Sequence, residues 1–376
     1  MKGDEMMRAA LPRVGTKRLW RRIQLGVVLM CVWLTGTVTF AADPAAVALN
    51  AERDDIIGDV RMMTAAYEDT MLDIARNNGL GFTELMAVNL GVDPWIPGEG
   101  TRIVLPTAHI LPDAPRRGVV VNIAELRLYY YPADGGPVVS MPIGVGRDSF
   151  TTPHGTTKVT RKAERPTWYP TQNTRADRPE LPAAVPPGPD NPLGEHALYL
   201  GWPTYAIHGT NQPWGVGRRV SRGCIRLYPE DIERLYPMVP VGTPVAVVSQ
   251  SVKLGWRGGN LFIEVNPSLT QVDQIEESGI PEPDPVPEIA DPDRILAAAG
   301  DDIWRLDWNA INDALERRQG IPIQITRDAR LSRRGTAAGW AADGAANPAA
   351  EEAARMMGAF GPQDSPTVIG PGLGRY

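Results

Sequence analysis

Two residues with reactive side chains, His208 and Cys224, stand sixteen positions apart. Each sits at the end of an apolar stretch and beside a glycine, in Tyr205-Ala206-Ile207-His208-Gly209 and Gly223-Cys224-Ile225. A thiol becomes a nucleophile when a base takes its proton, and an imidazole is suited to that task near neutral pH. The glycines add no side chain that would obstruct a reacting carbonyl. Together the residues point to acyl transfer through a thioester. Backbone N–H groups around Gly223 and Cys224 are expected to hold the oxyanion. His196 is the competing base, but it reads as a structural residue at a strand end. His154 lies in a loop, and His109 in an exposed-looking connector where it is given no role. Four scattered histidines make no zinc-type spacing, and no glycine-rich loop reads as a phosphate cradle, so neither metal nor cofactor is expected.

Neighbouring residues refine this reading. Arg226 lies two positions past the thiol, on the same side if the backbone is a strand. Its planar fork suits a substrate carboxylate. Arg222, Arg218 and Arg219 add positive charge, the last two in a solvated turn. Ser221 is expected to orient His208 through its carbonyl or hydroxyl.

The run Ser221-Arg222-Gly223-Cys224-Ile225-Arg226-Leu227, preceded by Ile207-His208-Gly209-Thr210-Asn211, resembles the catalytic motif of the YkuD-type L,D-transpeptidases, most of all their ErfK/YbiS branch. Thr151-Thr152-Pro153-His154-Gly155-Thr156 is similar to that family's Thr-Pro-x-Gly loop. His208, Gly209, Ser221, Gly223, Cys224 and Arg226 match the motif, whereas Arg222 stands where many members carry His. The resemblance implies Cys224, His208, Ser221 and Gly223 as the catalytic set, with Arg226, Gly209, Arg222 and Tyr205 contacting substrate. It also implies a tetrapeptide stem of peptidoglycan as donor, cleaved before its terminal D-Ala. The acceptor would be another stem's diamino acid or the terminal Lys of an outer-membrane lipoprotein. Two alternatives stay open. Water could resolve the same thioester, giving an L,D-carboxypeptidase or a lipoprotein-releasing amidase. Or the chain could be a non-catalytic wall-binding protein.

The chain that must position these residues has 376 residues, 43% of them hydrophobic, with 36 Pro and 38 Gly. That is enough for two domains and tails. The expected fold is mainly β, a β-sandwich catalytic domain over 117–250 behind a small α+β module over 65–106. The net charge of −6 argues against a nucleic-acid partner. It is unevenly placed, because residues 1–41 hold seven basic and two acidic side chains, leaving −11 for the remainder. A basic stretch ending at Arg22 and an apolar run from Ile23 to Phe40 read as an export signal over 1–41, cut after Ala41. The expected location is therefore the periplasm, with membrane attachment only if the signal stays uncut. Removal of the signal would take Cys31 with it. Cys224 would then be the sole thiol in an oxidising compartment, as fits a chemical role.

Residues 65–106 read as strand, helix, helix, strand, which resembles a glycan-binding LysM module. The family's usual Gly-Asp-Thr is Glu68-Asp69-Thr70 here. Strand patterns run from Gly118 to Val248, with a turn at Asp134-Gly135. Pro166 to Pro192 is too long and Pro-rich for an ordinary connection, and its Trp168 and Tyr169 suggest a lid or groove wall. Residues 251–326 read as a closing hairpin, an acidic Pro-rich linker from Ile275 to Pro292, and an appendix. In the appendix Asp307 caps a helix that Gly320 stops. Disorder is expected over 327–376.

Overall fold

A computed structural model describes residues 46–47, 54–284 and 292–327. The expected export signal, Cys31, part of the acidic linker and the tail beyond Arg327 lie outside the described residues. Strands begin early in the described residues. The first are β1 (Ala46–Val47), β2 (Ile56–Ile57) and β3 (Arg61–Thr64). Then follow α1 (Met71–Asn77), α2 (Phe82–Val88), β4 (Arg102–Leu105) and β5 (His109–Ile110). Strand β3 pairs antiparallel with β4, so the small module is a β-α-α-β unit that begins at Arg61 rather than at residue 65. Thr70 caps α1 by accepting the Asp73 N–H at 3.1 Å, while Asp69 accepts from Ala66 at 2.8 Å. The acidic-Thr triplet thus starts the helix.

The catalytic half is built from β6 (Gly118–Asn122), β7 (Arg127–Tyr131), β8 (Val138–Pro142), β9 (Val145–Gly146) and β10 (Gly155–Glu164). Next come α3 (Gln172–Asp177), β11 (His196–Leu200), β12 (Ala206–His208), β13 (Arg219–Ser221) and β14 (Ile225–Arg226). Helix α4 (Pro229–Met238) and β15 (Pro244–Val248) complete it. Nine strands form one sheet in the order β1-β8-β7-β6-β15-β10-β11-β12-β14. Alternate residues bury on one face, as the two-residue period of a strand requires. Val119 and Val121, Leu128 and Tyr130, Val139 and Met141, Leu198 and Leu200, Ile207 and Ile225 all enter one core. Strands from both ends of the order share that core, so the sheet curls and its halves face each other. The expectation of a mainly β, sandwich-like catalytic domain holds.

Beyond it lie β16 (Val252–Arg257), β17 (Asn260–Val265), α5 (Leu269–Ser278), α6 (Pro292–Ala299), α7 (Trp308–Arg317) and β18 (Pro322–Gln324). Helix α5 was not anticipated. It takes up Ile275–Ser278, read from sequence as linker. Ser268 and Gln271 close a capping box at its start, and Gly279 ends it in the left-handed conformation. Asp307 caps α7 as expected, but the helix stops at Arg317, ahead of Gly320. The appendix buries Ile295, Ile311 and Leu315 against Leu261 and Ile263 of the hairpin.

His109, taken as exposed, is buried instead. Its Nδ1 lies 3.6 Å from Glu84, which also pairs with Arg127 at 2.9 Å. Beside this group Lys253 is buried with Glu125 and Glu264, the latter at 2.8 Å. Burial works against the Lys253 charge, but the two carboxylates more than offset it and hold its pKa up. The cluster therefore ties the module, the catalytic sheet and the hairpin into one body. Its members lie far apart in the chain, so no local pattern announces it.

Candidate active site

Strands β12 and β14 run parallel, with Ile207 opposite Ile225 and His208 opposite Arg226. The base and the guanidinium thus sit at the same level on adjacent strands. The imidazole is buried, and its Nδ1 donates to the Gly209 carbonyl at 2.5 Å. That bond leaves Nε2 as the basic nitrogen. Burial first, and Arg226 second, lower the His208 pKa to about 4, against hydrogen bonds to the Gly209 and Leu193 backbone.

Cys224 follows a tight turn. Ser221 Oγ donates to the Cys224 carbonyl at 2.6 Å and accepts the Gly223 N–H at 3.1 Å. The Ser221 carbonyl accepts the Arg147 N–H at 3.1 Å. Ser221 therefore shapes the nucleophile's turn, and among the described residues the expected contact with His208 is not found, because the His208 Nδ1 proton goes to the Gly209 carbonyl instead. Gly223 N–H is likewise taken, so among the described residues Cys224 N–H is the donor of this pair left for an oxyanion. Gly223 has φ +101°, and a Cβ there would stand 2.7 Å from a ring carbon of Tyr205. Only glycine fits this turn without strain. Thr152 braces it from below, donating to the Gly223 carbonyl at 2.9 Å.

The thiol donates to the Thr204 carbonyl at 3.4 Å. Thr204 has φ +71°, a left-handed conformation that a β-branched residue adopts at a cost. Burial pushes the Cys224 thiol up, while the Ala206 N–H and Arg226 pull against that shift. The resting pair is therefore neutral thiol and neutral imidazole. Cys224, His208, Arg226, Arg222, Tyr205 and Ser221 all border one cavity of about 590 Å³. Burial disfavours the Arg226 charge. Its Nε has no acceptor, and among the described residues it forms no ion pair. A half-buried cation without an anion is costly, so the cavity is prepared for a negatively charged ligand. Gly209 packs on Ile232, where a Cβ would come within 2.9 Å. It supports the histidine from outside the cavity.

The remaining histidines fall away from this site. The His196 ring lies 4.5 Å from Tyr236 and borders a different cavity, with Glu164 and Glu233. The register explains this, since Ala197 rather than His196 stands opposite His208. His154 is exposed. Arg218 and Arg219, read as solvated, pair with Glu276 at 3.0 Å and with Asp273 at 2.5 Å. Thr204, Thr152 and Phe150 were not foreseen as site residues, whereas Trp168 and Tyr169, expected in a groove wall, do border the cavity. The Thr-Pro loop motif pointed toward Thr152, but nothing in the sequence marks the backbone of Thr204.

A cavity holding thiol, imidazole and an unpaired guanidinium on a curled β-sheet defines a thiol acyltransferase site. The YkuD family, described as the L,D-transpeptidase catalytic domain, matches residues 116–247. The chain is 44% identical over 262 residues to the probable L,D-transpeptidase ErfK/SrfK of Escherichia coli K12, covering 68% of this chain and 82% of that one. It is 42% identical to the probable L,D-transpeptidase YbiS of the same organism, covering 65% and 80%. It is 36% identical to the probable L,D-transpeptidase YcfS, covering 78% and 95%. The chain belongs to the L,D-transpeptidase family, cysteine-dependent acyltransferases that act on peptidoglycan stem peptides.

Proposed function

We propose that Cys224 carries the acyl group of a tetrapeptide stem and passes it to an amine. The placement of Cys224, His208 and the unpaired Arg226 around one cavity carries this reading. As the donor carbonyl approaches, the Cys224 proton moves to His208 Nε2 and sulfur bonds to carbon. Cys224 N–H stabilises the oxyanion. The C–N bond then breaks, and His208 returns its proton to the departing D-Ala amine. Arg226 pairs with a donor carboxylate, which also neutralises the charge that depresses His208. In the second half-reaction His208 takes a proton from the acceptor amine, nitrogen attacks the thioester and the thiol is restored. The acceptor is a second stem or the terminal Lys of an outer-membrane lipoprotein. Purified protein incubated with tetrapeptide muropeptides and such acceptors tests this by mass spectrometry. Cross-linked or lipoprotein-bound products support it, and tripeptide alone would favour a carboxypeptidase.

The small module is proposed to hold glycan. Tyr67, Trp95 and Ile96 are strongly exposed there. Their two loops are joined where Met71 N–H donates to the Pro94 carbonyl at 2.9 Å. Exposed aromatic faces at one end of a module suit stacking on sugar rings. Tyr67→Ala with Trp95→Ala should weaken binding to purified sacculi, and unchanged binding would contradict the proposal. Periplasmic location is proposed from the basic and apolar segment over 1–41. Fractionation should find a protein whose N-terminus is Ala42.

A further inference from the structure

The segment from Pro166 to Asn191 arches over the catalytic cavity and is closed on itself. Asn191, fully buried, donates to the Pro166 carbonyl at 2.7 Å and to those of Val185 and Pro186. Trp168 and Val185 exchange backbone hydrogen bonds of 2.9 and 2.8 Å. Apart from the bonds to Asn191, one polar contact between residues 167–190 and the rest of the protein is found among the described residues. Arg222 Nη2 meets Asp177 Oδ2 of α3 at 2.6 Å.

That contact occupies a particular place. Thr174 of α3, Trp168 and Pro192 border the Cys224 cavity and also a second cavity of about 480 Å³ behind it. Arg222 and Arg226 border both as well. The partition between the two spaces is thus formed by α3 and these arginines. The Arg222 guanidinium is itself held in place, 4.4 Å over the Phe150 ring, with Nη1 buried. It is anchored to the nucleophile's turn and reaches outward to the helix.

We propose that the Arg222–Asp177 pair latches α3 against the catalytic turn and sets how far water reaches the Cys224 acyl-thioester. This inference rests on the acyl-transfer reading above. The thioester has two fates. An amine gives an amide and the free thiol. Water gives a carboxylic acid, a tripeptide in this case, and the same thiol. An enclosed site favours the amine because bulk water is excluded. Arg222 is a positioning residue here, acting through α3.

The test uses the full-length protein, a tetrapeptide donor and glycine as the acceptor amine, with the ratio of glycine adduct to tripeptide read by mass spectrometry. Asp177 is half-exposed, so Asp177→Asn leaves the fold intact, and an unchanged melting temperature verifies this. Exposed ion pairs are weak, so the tripeptide share should rise on the order of two- to fivefold in Asp177→Asn. Asp177→Glu should restore the wild-type ratio. Arg222→Gln should shift the ratio the same way, and the double variant Arg222→Gln/Asp177→Asn should not exceed it. High salt should move the wild-type ratio toward tripeptide and leave Asp177→Asn unmoved. A wild-type ratio in Asp177→Asn, or additive effects in the double variant, would overturn the latch. Wild-type protein forming neither product would instead overturn the acyl-transfer reading, and the latch with it.

Discussion

His208 and Cys224 are both uncharged at rest because the same burial acts on them in opposite directions. The imidazole is driven to about 4 and the thiol is driven up. Two consequences follow at this scale. We expect kcat/KM for the free enzyme to keep its acid limb near pH 4, well below that of an ordinary histidine. A limb near pH 6.5 would mean that the base is solvated. Stability should move with the same group. The folded pKa lies below the value of 6.5 for a free histidine, so the unfolded chain takes up the proton first. The stability His208 contributes is complete above about pH 6.5 and is lost as pH falls toward 4, by about 3 kcal/mol at most. His208→Gln should remove that part of the acid dependence in thermal melts, leaving the part due to His109, which burial also lowers. Gly223→Ala forces a Cβ against Tyr205 at φ +101°. It should cost on the order of 2 kcal/mol and most of the activity. That Cys224, His208 and Arg226 belong together was legible in the sequence, because their side chains and spacing suggest a shared chemistry, and the three do border one cavity. The work of Ser221 was not, because a hydroxyl fits either neighbour until the turn is seen.

Among the elements, strands were the most legible, since alternation of buried and exposed positions is a local property. His196, read as a residue at a strand end, does open β11. Helix α5 is masked in the sequence by the Pro and acidic residues just beyond it, although Ser268 and Gln271 form a capping box at its start. The Pro-rich segment from 166 to 192 was read as a wall of the cavity, and its residues do border it. What the sequence did not reveal is that one asparagine closes the arch. Asn191→Ala would leave three carbonyls without that donor. We expect a loss of about 3 kcal/mol, read by denaturant melts, and faster proteolysis within 167–190. Unchanged stability would show that the arch is held by packing alone.

Across the whole molecule, the small module is bound to the catalytic sheet by more than a linker. Arg76 meets Glu230 at 2.7 Å, Arg218 lies 4.1 Å over the Phe82 ring, and Gly81 and Gly217 approach so closely that a Cβ on either would collide. Ile275 of α5 enters the module's core, while Val272 of the same helix enters the sheet's core. Module and catalytic domain should therefore unfold in a single transition, and excision of residues 65–106 should unfold the rest. Point variants on the exposed aromatic loops are the proper probe of glycan binding for that reason. Lys253→Met would strand Glu125 and Glu264 without their cation, and we expect a loss of about 3–5 kcal/mol. Adding Glu264→Gln should recover part of it. This cluster was illegible from sequence, since its partners are brought together only by the tertiary fold.

Peptide-mapping mass spectrometry of the protein mixed with a tetrapeptide donor, quenched in acid and digested, addresses the central claim most directly. The wild type should gain the mass of the donor less D-Ala on the peptide containing Cys224, and Cys224→Ala should gain nothing and form no product. An adduct on another residue, or turnover by Cys224→Ala, would contradict it.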